Sequence, residues 1–213
     1  MREDQETGSL TTPNKNDTAR AGKKRDTKGV LARVATQLME KRGYGDTSIE
    51  DIVRAADVTK PTFYYYYISK LGLLTELLEE SMGKIEAAVE QSDDPSLPPP
   101  DRLSSLAQAF VYQVLDRPDL WTIYERDRDH LDAGRLKKIT NRERKVVARF
   151  EEVIKEGIRD GVFRPVNPLF AAMGILGLMA SLHSWYEDRG DVNRKVLAEE
   201  YRRLAVGALL TQK

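Results

Sequence analysis

Residues 58–70 read VTKPTFYYYYISK and set four tyrosines, Tyr64 to Tyr67, in succession. On a strand these rings would alternate between two faces. On a helix, side chains turn by about 100° per residue, so four in a row sweep roughly 300° of the surface. A single core covers about a third of that circle. Some of the rings must therefore meet something other than the protein's own interior, and the flanking sequence decides which.

Upstream, Val30, Leu31, Val34, Ala35, Leu38 and Met39 form one apolar stripe that Gly43 ends. A short second helix starts at Thr47–Ser48, with Ile49, Ile52, Val53 and Ala56 as its inner face. Asp57 and Val58 make a tight turn, Thr59 is placed to cap, and Pro61 sits where a first turn tolerates it. The third helix is then 60–67, with Phe63 and Tyr67 sharing the face that packs inward. Tyr64, Tyr65 and Tyr66 are left on the outer arc beside Lys60, Thr62 and Lys70. Two short helices across a tight turn, the second polar and aromatic outward, form a helix-turn-helix. Such a second helix enters the DNA major groove, and its hydroxyl and ammonium groups suit phosphate oxygens.

Charge agrees with this placement. The chain of 213 residues has zero net charge, but residues 20–70 hold eleven Lys/Arg against six Asp/Glu, 11 − 6 = +5, leaving −5 elsewhere. There are no cysteines, which excludes disulfides, thiolate metal sites and thiol catalysis. His130 and His183 lack partners at metal-ligand spacing, so no metal or cofactor is expected. No nucleotide-binding, metalloprotease or nucleophile-elbow motif is present, and the chain reads as a non-enzyme. The opening residues lack a signal-peptide core, and the most apolar stretch, 169–182, falls short of the roughly 20 residues of a membrane span. A cytoplasmic protein without a membrane partner is expected.

Beyond residue 74, SDDPSLPPP at 92–100 punctuates a series of further helical patterns at 101–116, 119–133, 135–160, 169–186 and 192–210. With no alternating β-rich runs, the expected class is all-α with about nine helices. Residues 135–149 carry seven Lys/Arg against Glu143 alone, either a solvated face or a phosphate-binding one.

The combination of Gly43-Tyr44, Thr47-Ser48-Ile49, Ile52, Ala55-Ala56, Val58-Thr59, Thr62-Phe63-Tyr64, Ser69-Lys70 and Leu73-Leu74 resembles the DNA-binding domain of the TetR family of transcriptional regulators. The family usually has Gly at the position of Asp57 and Phe at that of Tyr67. The resemblance implies a disordered arm over 1–24, a helix-turn-helix domain over 25–74, and a ligand-binding and dimerisation domain over 75–213. It further implies a homodimer that binds a palindromic double-stranded operator and, as a repressor, is released by a small-molecule effector. Carried over by position, Ser48, Thr62, Tyr64 and Lys70 would hold phosphates, and Thr59, Lys60, Pro61, Tyr65 and Tyr66 would approach bases, sugars or methyl groups. The run Lys23-Lys24-Arg25 fits an arm along the DNA backbone.

In the C-terminal half, the apolar 169–186 helix, with Ala171, Gly174, Gly177 and Ser181, and the last helix resemble the family's four-helix dimer interface. The effector pocket would be lined by Phe110, Val114, Trp121, Tyr124, Met173, Met179, His183 and Trp185, with Arg128 and Arg142 as polar contacts. The order WTIYERDRDHL, basic helix, EGIRDGVFRP, apolar helix, WY resembles the branch that senses acyl-CoA thioesters. An alternative reading is a helical adaptor with an incidental helix-turn-helix.

Overall fold

The computed structural model describes residues 15–187 and 192–211, with side chains described from Thr27 onward. Helix α1 spans Lys15–Arg42, α2 Ile49–Ala55, α3 Lys60–Tyr66 and α4 Lys70–Ser92. The second half comprises α5 Pro99–Asp116, α6 Pro118–Asp127, a 3-10 turn Arg128–His130, α7 Ala133–Arg159, α8 Pro168–Ala180, α9 Leu182–Trp185 and α10 Arg194–Gly207. Among the described residues there is no named strand, and Phe163 forms one isolated antiparallel bridge with Leu210. The chain is all-α.

Local chemistry explains the boundaries. Ser48, Thr59, Ser69, Asp132, Asn167 and Asn193 cap α2, α3, α4, α7, α8 and α10 through side-chain oxygens that accept backbone N–H groups. At the end of α2 the Val58 N–H donates to Val53 O and the Asp57 N–H to Arg54 O. This pair of bonds is a Schellman closure, and it requires a left-handed residue, here Asp57 at φ 53°. The expected 169–186 helix breaks at Ser181 into α8 and α9. The segment Pro168–Trp185 has the length and apolar composition to cross a membrane, with 28% of it buried. Helix α1 begins at Lys15, so the backbone is helical over ten residues of the segment read as a disordered arm. Residues 1–14 and the side chains of Lys23, Lys24 and Arg25 lie outside the described residues.

One apolar cluster runs from Leu31 through Phe63, Leu74 and Ile85 to Phe150, Met179 and Leu209. Helix α4 runs through the cluster: Leu73 and Leu74 are fully buried at its start, while Met82, Ile85 and Val89 face α5 and α7. Where the chain leaves α4, Arg102 is buried and its Nε and Nη2 donate to the two carboxylate oxygens of Asp93 at 2.7 and 3.1 Å. Arg102 also pairs with Glu156 on α7. The proline-rich connector is thereby fastened at its first residue to α5 and α7.

After α7 the chain doubles back so tightly that the Phe163 ring lies where a side chain at Gly157 would project. Phe163 is buried, and its N–H and that of Val162 both donate to Gly157 O. Gly157→Ala is expected to destabilise the fold by about 1–3 kcal/mol through overpacking, read as a lower midpoint in urea at unchanged slope.

Candidate nucleic-acid interface and effector cavity

The α3 helix is two turns long and buries one face. Phe63 is fully buried and Tyr67 is 4% exposed, with their ring centroids 5.7 Å apart. Burial raises the Tyr67 hydroxyl well above the usual phenol range. Tyr64 is 53% exposed, Tyr65 is 63% exposed, and the half-buried Tyr66 meets Tyr65 edge-on at 4.9 Å. Ile68, just past the helix end, is 93% exposed and continues this aromatic surface. An isolated apolar residue after four rings gave no signal of its own in the sequence.

The N-terminal turn of α3 is built by Thr59, whose Oγ1 accepts the Thr62 N–H at 3.4 Å and lies 2.9 Å from the Thr62 hydroxyl. Pro61 occupies that turn. Lys60 is exposed and pairs with Glu50 of α2, whose carboxyl is held low by that contact. At the start of α2 the Ser48 hydroxyl donates to Asp51 Oδ2 at 2.7 Å while accepting the Asp51 N–H at 3.1 Å. Its cap thus uses the hydroxyl from both sides.

Lys70 departs from the expected role. Its Nζ donates to Tyr44 O at 2.6 Å and Thr47 O at 2.7 Å, and it lies 4.0 Å from the centre of the Tyr44 ring. Burial pulls its pKa down, with Asp127 and Asp46 opposing. The ammonium points into the turn between α1 and α2 rather than outward to a phosphate. A cluster on α6 completes this brace. Arg126 donates from Nη2 to Met39 O at 2.5 Å and from Nη1 to Glu40 O at 3.1 Å, satisfying carbonyls at the end of α1. Its neighbour Asp127 is buried and accepts the Tyr44 N–H at 3.1 Å and Arg126 Nη2 at 2.9 Å. In the sequence Asp127 belongs to a polar cluster with Arg128, Asp129 and His130, and nothing local points from it or Arg126 to the end of α1.

One to two turns earlier, α6 faces an open-mouthed cavity of about 230 Å³ lined by residues of α4 to α8. Phe110 and Trp121 line it, together with Met82, Ile85, Glu143 and Leu176. Tyr124 lines a narrow extension of about 20 Å³. Its hydroxyl is pushed up to about 12, first by burial and then by Glu143, against a lowering by Arg128. His183 stacks on Trp121 with ring centroids 6.2 Å apart. Other expected lining residues are placed elsewhere. Val114 and Met179 are fully buried core residues outside the lining, and Met173 and Trp185 are more than half exposed. The break at Ser181 and the outward face of α8 account for the last two.

The basic face of α7 is also largely matched from within. Lys138 pairs with Glu79 at 3.6 Å, Arg142 and Lys145 with Glu86 at 2.5 and 2.6 Å, and Arg149 with Asp93 at 3.2 Å. The acids recur every seventh residue along α4 and its cap, so a ladder of charge joins α4 to α7. Arg142 therefore contacts α4 rather than the cavity. On the far side, α8 and α10 leave a groove of about 500 Å³ between Phe170, Gly174, Leu178, Leu204 and Ala208. Phe170 stands 70% exposed there.

Two outcomes are expected. Lys70→Met should lower stability by about 1–3 kcal/mol, because it strips donors from partly buried carbonyls, measured by chemical denaturation. Lys145 and then Arg142 hold the Glu86 carboxyl below its ordinary range. This contribution is complete above the unfolded value near about 4.3 and is lost as pH falls through the lower folded value. Glu86→Gln should therefore reduce stability at neutral pH and flatten the acid limb, read from thermal midpoints between pH 3 and 7.

Comparison with known proteins agrees with this geometry. Residues 31–77 match the model of the bacterial regulatory proteins of the tetR family, and residues 96–209 match the tetracyclin repressor-like C-terminal domain. The HTH-type transcriptional repressor KstR2 of Mycobacterium tuberculosis H37Rv is 22% identical over 193 residues, which is 89% of this chain and 96% of the relative. A tetR-family regulatory protein from Rhodococcus RHA1 superposes with a TM-score of 0.81 at 23% identity, covering 88% of this chain and 98% of that one. AibR, solved in complex with isovaleryl coenzyme A and operator DNA, gives a TM-score of 0.73 at 23% identity, covering 84% and 97% respectively.

Proposed function

The chain belongs to the TetR family of bacterial regulatory proteins, and from that premise we propose that it is a repressor which binds a palindromic operator as a homodimer and leaves it when an apolar effector fills the cavity. The observation that carries this reading is the outward tyrosine face of α3 on a helix whose other face is fully anchored. Tyr64, Tyr65 and the Thr59–Thr62 turn offer hydroxyls and backbone N–H groups to phosphates and base edges of a major groove. Lys60 joins them once DNA phosphates compete with Glu50 for its ammonium. Lys70 and Ser48 serve the interface by holding it in shape.

Homodimerisation is supported by the exposed apolar faces of α8 and α10. The groove between them fits an aromatic knob such as Phe170 of a second copy, and small residues at Gly174 and Ala208 permit close approach. Acyl-CoA thioesters are the effector class to examine first, because AibR shares the fold and was solved with one. In this chain the cavity would take the apolar acyl part. The α7 cations are held by α4, so a nucleotide moiety would have to displace Glu86 or Asp93 to reach them.

Two elements connect the cavity with the helix-turn-helix. Helix α4 lines it with Met82 and Ile85 and begins directly after α3. Helix α6 lines it with Trp121 and grips the end of α1 through Arg126 and Asp127. An effector that shifts Trp121 and Met82 moves both and changes the separation of the two α3 helices from the groove repeat of about 34 Å. A coupling of about 1–3 kcal/mol suffices, and it is reciprocal.

The deciding experiment is fluorescence anisotropy on DNA upstream of the protein's own gene, titrated with acyl-CoA thioesters. Salt-dependent binding relieved by one thioester is the expected result. Operator DNA should weaken binding of that thioester by the same factor, and independent binding would refute the coupling. Phe170→Glu should yield monomers in analytical ultracentrifugation and lower operator affinity by roughly 10²-fold or more through lost bivalency.

A further inference from the structure

The indole of Trp121 is a hydrogen-bond donor with nothing to donate to. Its Nε1 is buried and meets no acceptor among the described residues, while the residue lines both the main cavity and its extension. The ring is held on two sides. Phe110 contacts it edge-on with centroids 5.9 Å apart, and His183 stacks on it at an interplanar angle of 24°. His183 is itself fixed, with Nδ1 2.7 Å from Ala180 O and Nε2 3.2 Å from Glu125 Oε2. The indole N–H is thus an unpaired donor covered by the cavity wall, which an acceptor in the cavity reaches by a small displacement of the side chains beside it.

We infer that Trp121 is the polar recognition point of the effector: its N–H donates to an uncharged acceptor, a ketone or thioester carbonyl, on an otherwise apolar ligand. This rests on the cavity being the effector site, as proposed above. The walls around the indole are supplied by Met82, Ile85, Val146 and Leu176, which offer such a ligand only apolar contact. Glu143 lines the same space and is hydrogen-bonded to Tyr124, so its carboxylate disfavours an anionic head group there. A carbonyl arriving at the indole satisfies a donor that the fold leaves unpaired. A hydrocarbon of identical shape leaves the donor as unpaired as it already is, so only the carbonyl gains a hydrogen bond on binding, and the site favours it.

The chain has two tryptophans, Trp121 and Trp185, so nitrogen-15 labelling yields two indole signals, which Trp185→Phe assigns. The probes are cyclohexanone, methylenecyclohexane (the same shape with CH₂ replacing oxygen), cyclohexanecarboxylate and isovaleryl-CoA. The expected result is a downfield shift of the Trp121 indole proton with cyclohexanone, which binds about tenfold tighter than methylenecyclohexane. Trp121→Phe should bring the two affinities together. The same shift with isovaleryl-CoA at lower concentration identifies a thioester as the carbonyl source, and its absence identifies a ketone. Methyl signals of Val146 and Val147 report cavity occupancy independently. Methyls that respond while the indole stays still, equal affinity for ketone and hydrocarbon, or a preference for the carboxylate would each overturn the assignment and leave the cavity reading intact. Methyls unmoved by every probe would overturn both, whereas operator binding, measured separately by anisotropy, tests the DNA-binding reading alone.

Discussion

Carbonyls at the end of α1 and in the turn that follows it are gripped by cations from later helices, and that grip organises the molecule. Arg126 comes from α6 to take those of Met39 and Glu40, and Lys70 comes from the start of α4 to take those of Tyr44 and Thr47. Asp127 takes the Tyr44 N–H and stands close enough to both cations to balance them. Helix α3 is carried on this junction, since α4 begins immediately behind it. An N-terminal unit joined only by a continuous α4 could pivot. With α6 gripping the far end of α1, its orientation is tied to the helix that lines the cavity.

The same logic recurs between α4 and α7. Their apolar faces meet through Ile85, Val89, Val146 and Phe150, and the flanking charges alternate between the two helices. Exposed pairs of this kind contribute little individually. Asp93 differs, being almost fully buried and shared between Arg102 and Arg149. Removing one partner from such a site leaves a buried charge unmatched, so the connector after α4 has little freedom to move alone. Displacement of α4 would therefore carry α5 and α7 with it.

Local signals made most of the N-terminal unit legible. The Phe63 and Tyr67 spacing, the Ser48 and Thr59 caps and the turn at Asp57 each involve residues within a few positions, and the structure places them as the sequence implied. What escaped was long-range. Lys70 beside three outward tyrosines reads as a DNA contact until the carbonyls of Tyr44 and Thr47, more than twenty residues upstream, are seen to claim it. The basic run on α7 reads as free charge until Glu79, Glu86 and Asp93 are set against it. Met173 and Trp185 read as lining because aromatic and sulfur side chains suit a pocket. Helical periodicity cannot say which side of α8 faces inward when nearly every residue on it is apolar.

Asp57 has a consequence outside the site itself. Its left-handed backbone costs an L-residue with a side chain about 1–2 kcal/mol relative to the right-handed form, softened by the short polar side chain that Asp can turn back on its own turn. A single nucleotide separates an aspartate codon from a glycine codon, so relief of that strain is one step away in sequence space. The chain holds this reserve of stability in the turn of its helix-turn-helix, and losses incurred elsewhere, in the cavity or along the exposed face of α8 and α10, can be compensated from it without altering the outward face of α3 or the cavity lining.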